Sequence, residues 1–341
     1  MKRIVFILTT FLAFNAYADE PTIVAETNPN DATTKCGDNC TWKLYSNGKL
    51  EISGTGDMYN YERYNTGVAL WEGTHGYQSK APWGAYSANI QTIDIQNGIT
   101  SIGEACFYNT IVSEVNLPDS ITTLEGFAFK YAANLTEISL PNNLTNIGED
   151  ALSQTMIENF VIPESVTFIG THAFGSNALQ NITIEGNITL EKNMLWNNSG
   201  TISTTLENIY CLSSNESCNA LKTDTDIGSK ITSYTKKAGV YRLEDGTIFS
   251  SPNDMMNGTN ACTDLDTCKA TVLQNKGYCT GEVCGAMVAA ENGNHPIEYN
   301  NKSYASIDDL LKGKHMPKRI YTVDEANQVA GKVNSVKIRY R

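Results

Sequence analysis

Leu135-Thr136-Glu137-Ile138-Ser139-Leu140-Pro141-Asn142-Asn143-Leu144-Thr145-Asn146-Ile147-Gly148-Glu149-Asp150-Ala151-Leu152 decides how this chain folds, because its pattern returns along the sequence. Segments 90–111, 112–134, 135–156, 157–178 and 179–200 superpose at steps of 22 or 23 residues. Ile90, Val112, Leu135, Ile157 and Leu179 open them, and Ile93, Val115, Ile138, Phe160 and Ile182 stand three residues later. Ile95, Leu117, Leu140, Ile162 and Ile184 follow two residues on, then Ile99, Ile121, Leu144, Val166 and Ile188, then Ile102, Leu124, Ile147 and Ile169. A spacing of two is the alternation of a strand with one buried face. Pro118, Pro141 and Pro163 close that strand, since proline has no N–H for the ladder. Gly103, Gly148 and Gly170 are expected to permit a tight bend, with Glu125 in that place in the second unit. Phe107, Phe129, Leu152 and Phe174 plug the outer wall. No single unit can bury its own apolar face, so the units must stack.

Working outward, a sixth strand is expected over 206–211 after a longer unit, with Cys211 in the column of Leu117 and Leu140. Cys106 shares a column with Ala128, Ala151 and Ala173, which makes it a small core residue. The pattern read from Leu135 to Leu152 resembles the BspA-type leucine-rich repeat of bacterial surface proteins, over roughly residues 36–236. The resemblance implies cell-surface location, adhesion and binding of host proteins. The fold expected is α+β but mostly β. It is a right-handed leucine-rich-repeat solenoid (90–236) with an N-terminal hairpin cap and aromatic loop (36–89) and a small disulfide-stapled, basic C-terminal α+β domain (237–341).

The ends follow from local signals. Residues 42–53 alternate apolar and polar around Asn47-Gly48, a strong hairpin signal. Residues 58–86 are dense in rings, among them Tyr59, Tyr61, Tyr64 and Trp71, which either recognise a ligand or cover the first repeat. Beyond 237 the period stops. Hairpins are expected about Asp245-Gly246 and Asn300-Asn301, short helices around Leu265–Val272 and Val283–Met287, and a helix at 307–311 capped by Ser306. A strand, a helix and a strand are expected over 319–322, 323–330 and 334–340.

Lys2-Arg3, the apolar run 4–14 and Ala16-Tyr17-Ala18 read as a signal peptide (1–18), so the mature chain is expected to start at Asp19. No later stretch is long enough to span a bilayer. The chain carries a net charge of −12, which argues against nucleic acid as a partner. Charge is uneven, for residues 301–341 hold nine basic and four acidic side chains. Nine cysteines in an exported chain point to disulfides. Cys36 neighbours Cys40 and Cys211 neighbours Cys218, while the pairing among Cys262, Cys268, Cys279 and Cys284 stays open.

No catalytic constellation is visible. His75, His172, His295 and His315 are scattered, and there is neither a nucleophile elbow nor a phosphate-cradling loop. Asp224-Thr225-Asp226-Ile227-Gly228 begins like a calcium loop but lacks the third ligand and the distal Glu, so no metal and no cofactor is expected. The function expected is non-enzymatic binding of another protein, such as a host extracellular or surface protein. A structural role in the cell envelope and an enzyme with its site in the C-terminal domain are the alternatives. In a strand-lined stack, residues between the buried columns face a concave ligand surface. Those are Thr92, Asp94, Glu114, Asn116, Glu137, Ser139, Asn159, Val161, Asn181 and Thr183.

Overall fold

A computed structural model describes residues 20–69, 75–175, 178–196, 200–202 and 204–314. The expected signal segment (1–18), Trp71, His315 and the elements expected over 319–340 lie outside these residues. The chain opens with β1 (Ile23–Glu26), β2 (Asn39–Tyr45), β3 (Lys49–Asp57), β4 (Arg63–Ala69) and β5 (His75–Ser79). The repeats supply β6 (Thr92–Ile95), β7 (Ile99–Ile102), β8 (Glu114–Asn116), β9 (Thr123–Leu124), β10 (Asn146–Ile147), β11 (Asn159–Ile162), β12 (Phe168–Ile169), β13 (Asn181–Ile184) and β14 (Asn208–Leu212). Then come α1 (Glu216–Ala220), β15 (Ile231–Lys237), β16 (Val240–Leu243), β17 (Ile248–Phe249), α2 (Pro252–Asn257), α3 (Leu265–Asn275), α4 (Glu282–Asn292), β18 (Ile297–Tyr299), β19 (Lys302–Tyr304) and α5 (Ile307–Leu311). The protein is mostly β with a few short helices.

Each repeat contributes to parallel ladders whose register is the sequence period. In the first ladder β3, β6 and β8 run parallel, with Leu50 opposite Ile93 and Ile93 opposite Val115. Past the third unit the same register resumes in a separate sheet of β11, β13 and β14, with Phe160, Ile182 and Ile209 in one row and Ile162, Ile184 and Cys211 in the next. The second ladder joins the end of β3 to β7, β9, β10 and β12. A third set of bonds closes the outer wall. The N–H groups of Phe127, Phe129 and Tyr131 donate to the carbonyls of Glu149, Ala151 and Ser153, and Asp150, Leu152 and Gln154 repeat this on Thr171, Ala173 and Gly175. Alternate wall residues, including Phe127, Asp150 and His172, take left-handed backbone angles that turn the chain at each step.

The wall also corrects the reading of the glycines. Gly148 and Gly170 do not have positive φ, so they are not there for a bend. A Cβ on Gly148 would lie 2.5 Å from the Gly126 nitrogen, and one on Gly170 2.4 Å from the Glu149 nitrogen. Glycine lets one repeat's backbone come against the next. The third unit departs from expectation too, since residues 137–140 form no strand and Ile138 and Leu140 are only half-buried. The unit before it is one residue longer, and the turn from Tyr131 to Leu135, with Ala133 N–H on the Tyr131 carbonyl, takes up the extra residue.

The opening column and the plugs are buried throughout. Trp83 stacks on Phe107 at 5.5 Å and Phe107 on Phe129 at 5.1 Å, while Trp42 meets Trp83 edge-on at 5.8 Å. This row of rings joins the β2–β3 hairpin to the repeats in one core. Trp83 donates through Nε1 to the Cys106 carbonyl at 2.8 Å. Disulfides join Cys36 to Cys40, Cys211 to Cys218, Cys262 to Cys268 and Cys279 to Cys284, and Cys106 is a buried free thiol whose pKa burial pushes up.

The sheet does not stop at 236. β15 pairs in parallel with β14, and β16 and β17 add antiparallel strands to the same sheet. Beyond it α3, α4, β18, β19 and α5 enclose Leu273, Val288, Ile297, Tyr304 and Ile307. Asp264 and Ser306 cap α3 and α5, each accepting a bond from a first-turn N–H.

Candidate functional site

Along the first ladder, side chains that alternate with the buried columns point away from the core. Strand register lines them up: Lys49, Thr92 and Glu114 form one row and Glu51, Asp94 and Asn116 the next. Asn159 pairs with Asn181, and Val161 with Thr183. Lys49 bridges Asp94 at 2.7 Å and Glu51 at 3.5 Å, so one ammonium offsets part of the negative charge at the β3 end. Glu114, Asn116, Glu137 and Ser139 are exposed, and among the described residues Glu114 and Glu137 have no cationic partner. Asn116 donates to Glu114 at 3.3 Å.

The expected ligand stripe ends sooner than its sequence pattern does. Asn181 and Thr183 are buried, and Val161 is half-buried against a cluster of Tyr210, Tyr234, Tyr241, Phe249, Met255 and Met256. Helix α2 lies over β11 and β13 and brings the two methionines there. Asn159, Asn181 and Asn208 are joined in a ladder of amide bonds at 2.8 Å each, which uses their polar groups within the sheet. Tyr234 donates to the Ile184 carbonyl at 2.9 Å, while Tyr241 donates to Glu185 and Lys236 bridges Glu185 at 2.8 Å. The chain beyond the repeats therefore occupies the far part of the stripe. No signal in the repeat columns announces this, because the covering residues belong to a different segment. Lys49 and Glu51, missed as part of the stripe, carry the same alternation as the repeats but sit in a stretch that reads as a hairpin.

The ring-rich segment divides as well. Tyr61 is half-buried, packs edge-on against Trp83 at 6.2 Å and donates to the Lys35 carbonyl at 3.1 Å. Burial drives its phenol well above the ordinary range. It is a covering residue, not a free recognition ring. Tyr59 and Tyr64 remain partly exposed, bonded to Asp38 at 2.6 Å and Gln78 at 2.9 Å. The β4–β5 hairpin is latched to the outer wall by Arg63, whose guanidinium lies 3.7 Å from the centre of the Phe127 ring.

Two places gather metal-type ligands. Ligand atoms of Glu149, Asp150 and His172 lie within 4.8 Å of one another. Asp150, however, is already matched by Lys130 at 2.8 Å and Ser153 at 2.7 Å. At Asp224 and Asp226 the cation is Lys192, at 2.8 and 3.1 Å, and its ammonium holds the Asp224 carboxyl below the usual range. A cleft of about 410 Å³ opens between the turns of Glu164–Thr167 and Glu185–Thr189, without a nucleophile–base pair.

Parallel ladders at a 22–23-residue period, apolar columns and an outward polar stripe define the leucine-rich-repeat class of protein. Residues 85–203 match, in six copies, the family described as the BspA type leucine rich repeat region. No curated protein matches the chain. Among solved structures, the chain is similar to a leucine-rich repeat protein from Eubacterium ventriosum (23% identity, TM-score 0.41, 61% of this chain and 47% of that one). It is also similar to one from Bacteroides ovatus (21%, 0.34, 52% and 48%) and to the pneumococcal vaccine antigen PcpA (21%, 0.32, 42% and 34%). The chain spans less than half the length of each. No helix among the described residues is long and apolar enough to cross a membrane.

Proposed function

We propose that this is an exported, non-enzymatic binding protein that holds another protein on the open part of its first ladder, from β3 to residue 139. In this reading the stack is a curved solenoid, the β2–β3 hairpin is its cap and the stripe is its concave face. The observation that carries the proposal is the contrast between two parallel ladders built from the same repeat. The ladder of β11 and β13 is covered by α2, whereas Glu114 and Asn116 on β8 and Glu137 and Ser139 in the next unit stand exposed. Stacked repeats offer such extended faces to macromolecules, and the unpaired carboxylates favour a cationic partner surface. Four disulfides and the leader-like first 18 residues support a place outside the cytoplasm.

The test is surface plasmon resonance of the full chain against an immobilised extracellular-matrix preparation, alongside the Glu114→Lys/Glu137→Lys double variant. Binding that weakens about tenfold or more in the variant, falls with added salt and leaves the melting temperature in place supports the proposal. Equal binding by both chains removes the stripe from consideration, and Tyr59 and Tyr64 become the next surface to test.

A further inference from the structure

The first ladder is broken at the third repeat. Where the other units join, the N–H that follows the opening apolar residue donates to the preceding unit: Gln91 to the Gly48 carbonyl, Ser113 to Gln91, Gln180 to Glu158 and Glu207 to Gln180. The equivalent N–H groups of Thr136 and Glu158 make no such bond. Among the described residues, no N–H or carbonyl of 136–140 bonds to another backbone group. The break leaves β8 with β6 as its one strand partner, while β11 opens a separate sheet. The opening is local, because the rest of the third unit is seated. Leu135 and Leu144 are buried, the N–H groups of Thr145 and Gly148 donate to the Thr122 and Leu124 carbonyls, and β10 pairs with β9 and β12.

Three kinds of group meet at this break. The first is the free edge of β8, a row of backbone donors and acceptors of the kind that accepts a further strand. The second is apolar: Leu117, Ile138 and Leu140 are only half-buried, whereas Ile95, Ile162 and Ile184 in the same columns are buried. The third is anionic, since Glu114 and Glu137 are exposed without a cationic partner among the described residues. An added strand bonds through its backbone, and its side chains alternate between the two faces of the sheet. Those on the outer face meet Glu114 and Glu137, and those on the inner face meet Leu117 and Ile138. The edge of β11 is less open, for Val161 packs against the cluster that α2 brings.

We infer that an extended segment of a partner protein, alternating basic and apolar residues, adds as a strand to the free edge of β8. Residues 136–140 yield the place, since no ladder bond holds them, while Leu135 and Leu144 keep the unit anchored. The inference rests on the proposed binding role and specifies its partner, a backbone-paired strand in place of a folded basic surface.

The test uses a blocked Lys-Val-Lys-Val-Lys-Val-Lys peptide as probe, with the full chain at low salt. Two forms N-methylated at every valine or at every lysine keep the charge and remove the N–H groups of one edge each. At least one methylated form should bind about tenfold more weakly than the parent, and so should heptalysine, which offers charge alone. In hydrogen exchange of the free chain, the amides of 137–140 should exchange about a hundredfold faster than those of β13. Bound probe should slow exchange within 114–117 about tenfold and leave 137–140 fast. Both methylated forms or heptalysine binding like the parent, no binding of the parent, or protection that falls on 137–140 overturns the inference. The Glu114→Lys/Glu137→Lys variant separates this outcome from failure of the wider reading. Should it lose binding while the methylated peptides match the parent, strand addition falls and the acidic stripe stands. Should it bind probe and matrix as the wild type does, the stripe itself falls.

Discussion

Thr183 offers a sharp test of how the far sheet is covered. Its Oγ1 is buried and has no hydrogen-bond partner among the described residues, and the residue is 0% exposed. It sits on β13 between Val161 and Tyr210, in the row that α2 covers. An unsatisfied buried hydroxyl costs about 1–3 kcal/mol, because the group has left water without compensation. Thr183→Val replaces the hydroxyl with a methyl of similar shape, keeps the β-branch the strand favours, and adds burial of about 0.8 kcal/mol. The variant should therefore be more stable by about 1–3 kcal/mol, read as a higher urea midpoint at unchanged slope. Thr183→Ser is the control, as it keeps the hydroxyl, loses the methyl and should be less stable by about 1 kcal/mol. Should Val destabilise the protein while Ser does not, the hydroxyl is partnered and the covering of β13 by α2 is misplaced.

Three further outcomes follow from individual side chains. Lys130→Met should cost about 3–5 kcal/mol by stranding the buried Asp150 carboxylate, and adding Asp150→Asn should recover most of it, as denaturant titration of the single and double variants will show. Thiol titration without reductant should find Cys106 unreactive in the native protein and one reactive thiol after denaturation; two or more would contradict the four bridges. In an alkaline titration followed at 295 nm, Tyr61, Tyr234 and Tyr241 should stay un-ionised past pH 10, with Tyr108 titrating near 12. Their folded pKa values are raised, so the stability they contribute is whole below the unfolded value near 10 and is lost as pH climbs toward the folded ones; all 17 phenols ionising reversibly near pH 10, with no late fraction, would refute this.

The apolar columns were legible because stacking repeats place the same chemical demand on each unit. Ile93, Val115, Phe160 and Ile182 lie in register where the period put them. Cys106 and Cys211 were legible for the same reason, each taking the environment of its column. The bonding of the outer wall was not, since alternation of left-handed residues such as Phe127 and Asp150 leaves no mark in residue type. β15 was missed because its side chains serve two neighbours at once, parallel β14 and antiparallel β16, and so carry no repeat signature. The loss of Asn181 and Thr183 from the ligand stripe was illegible for a deeper reason. It depends on Met255 and Met256, about 70 residues away in sequence and outside any period.

That division explains why the repeat pattern specifies architecture more tightly than function. Inward positions answer to the neighbouring repeat, so five units converge on the same residue types. Outward positions answer to whatever lies over the sheet, and here two different things do. Over β11, β13 and β14 the cover is the chain's own tyrosines and methionines, and the outward residues there are Val161, Thr183 and Tyr210, with an amide ladder beside them. Over β6, β8 and residues 137–139 the outward residues are Asp94, Glu114, Asn116, Glu137 and Ser139, which suit water or a polar ligand. Placing carboxylates at Val161 and Thr183 would bury charges with no cation to meet them, so α2 should lift away; placing Val at 116 and 139 should leave the fold standing and blunt only binding.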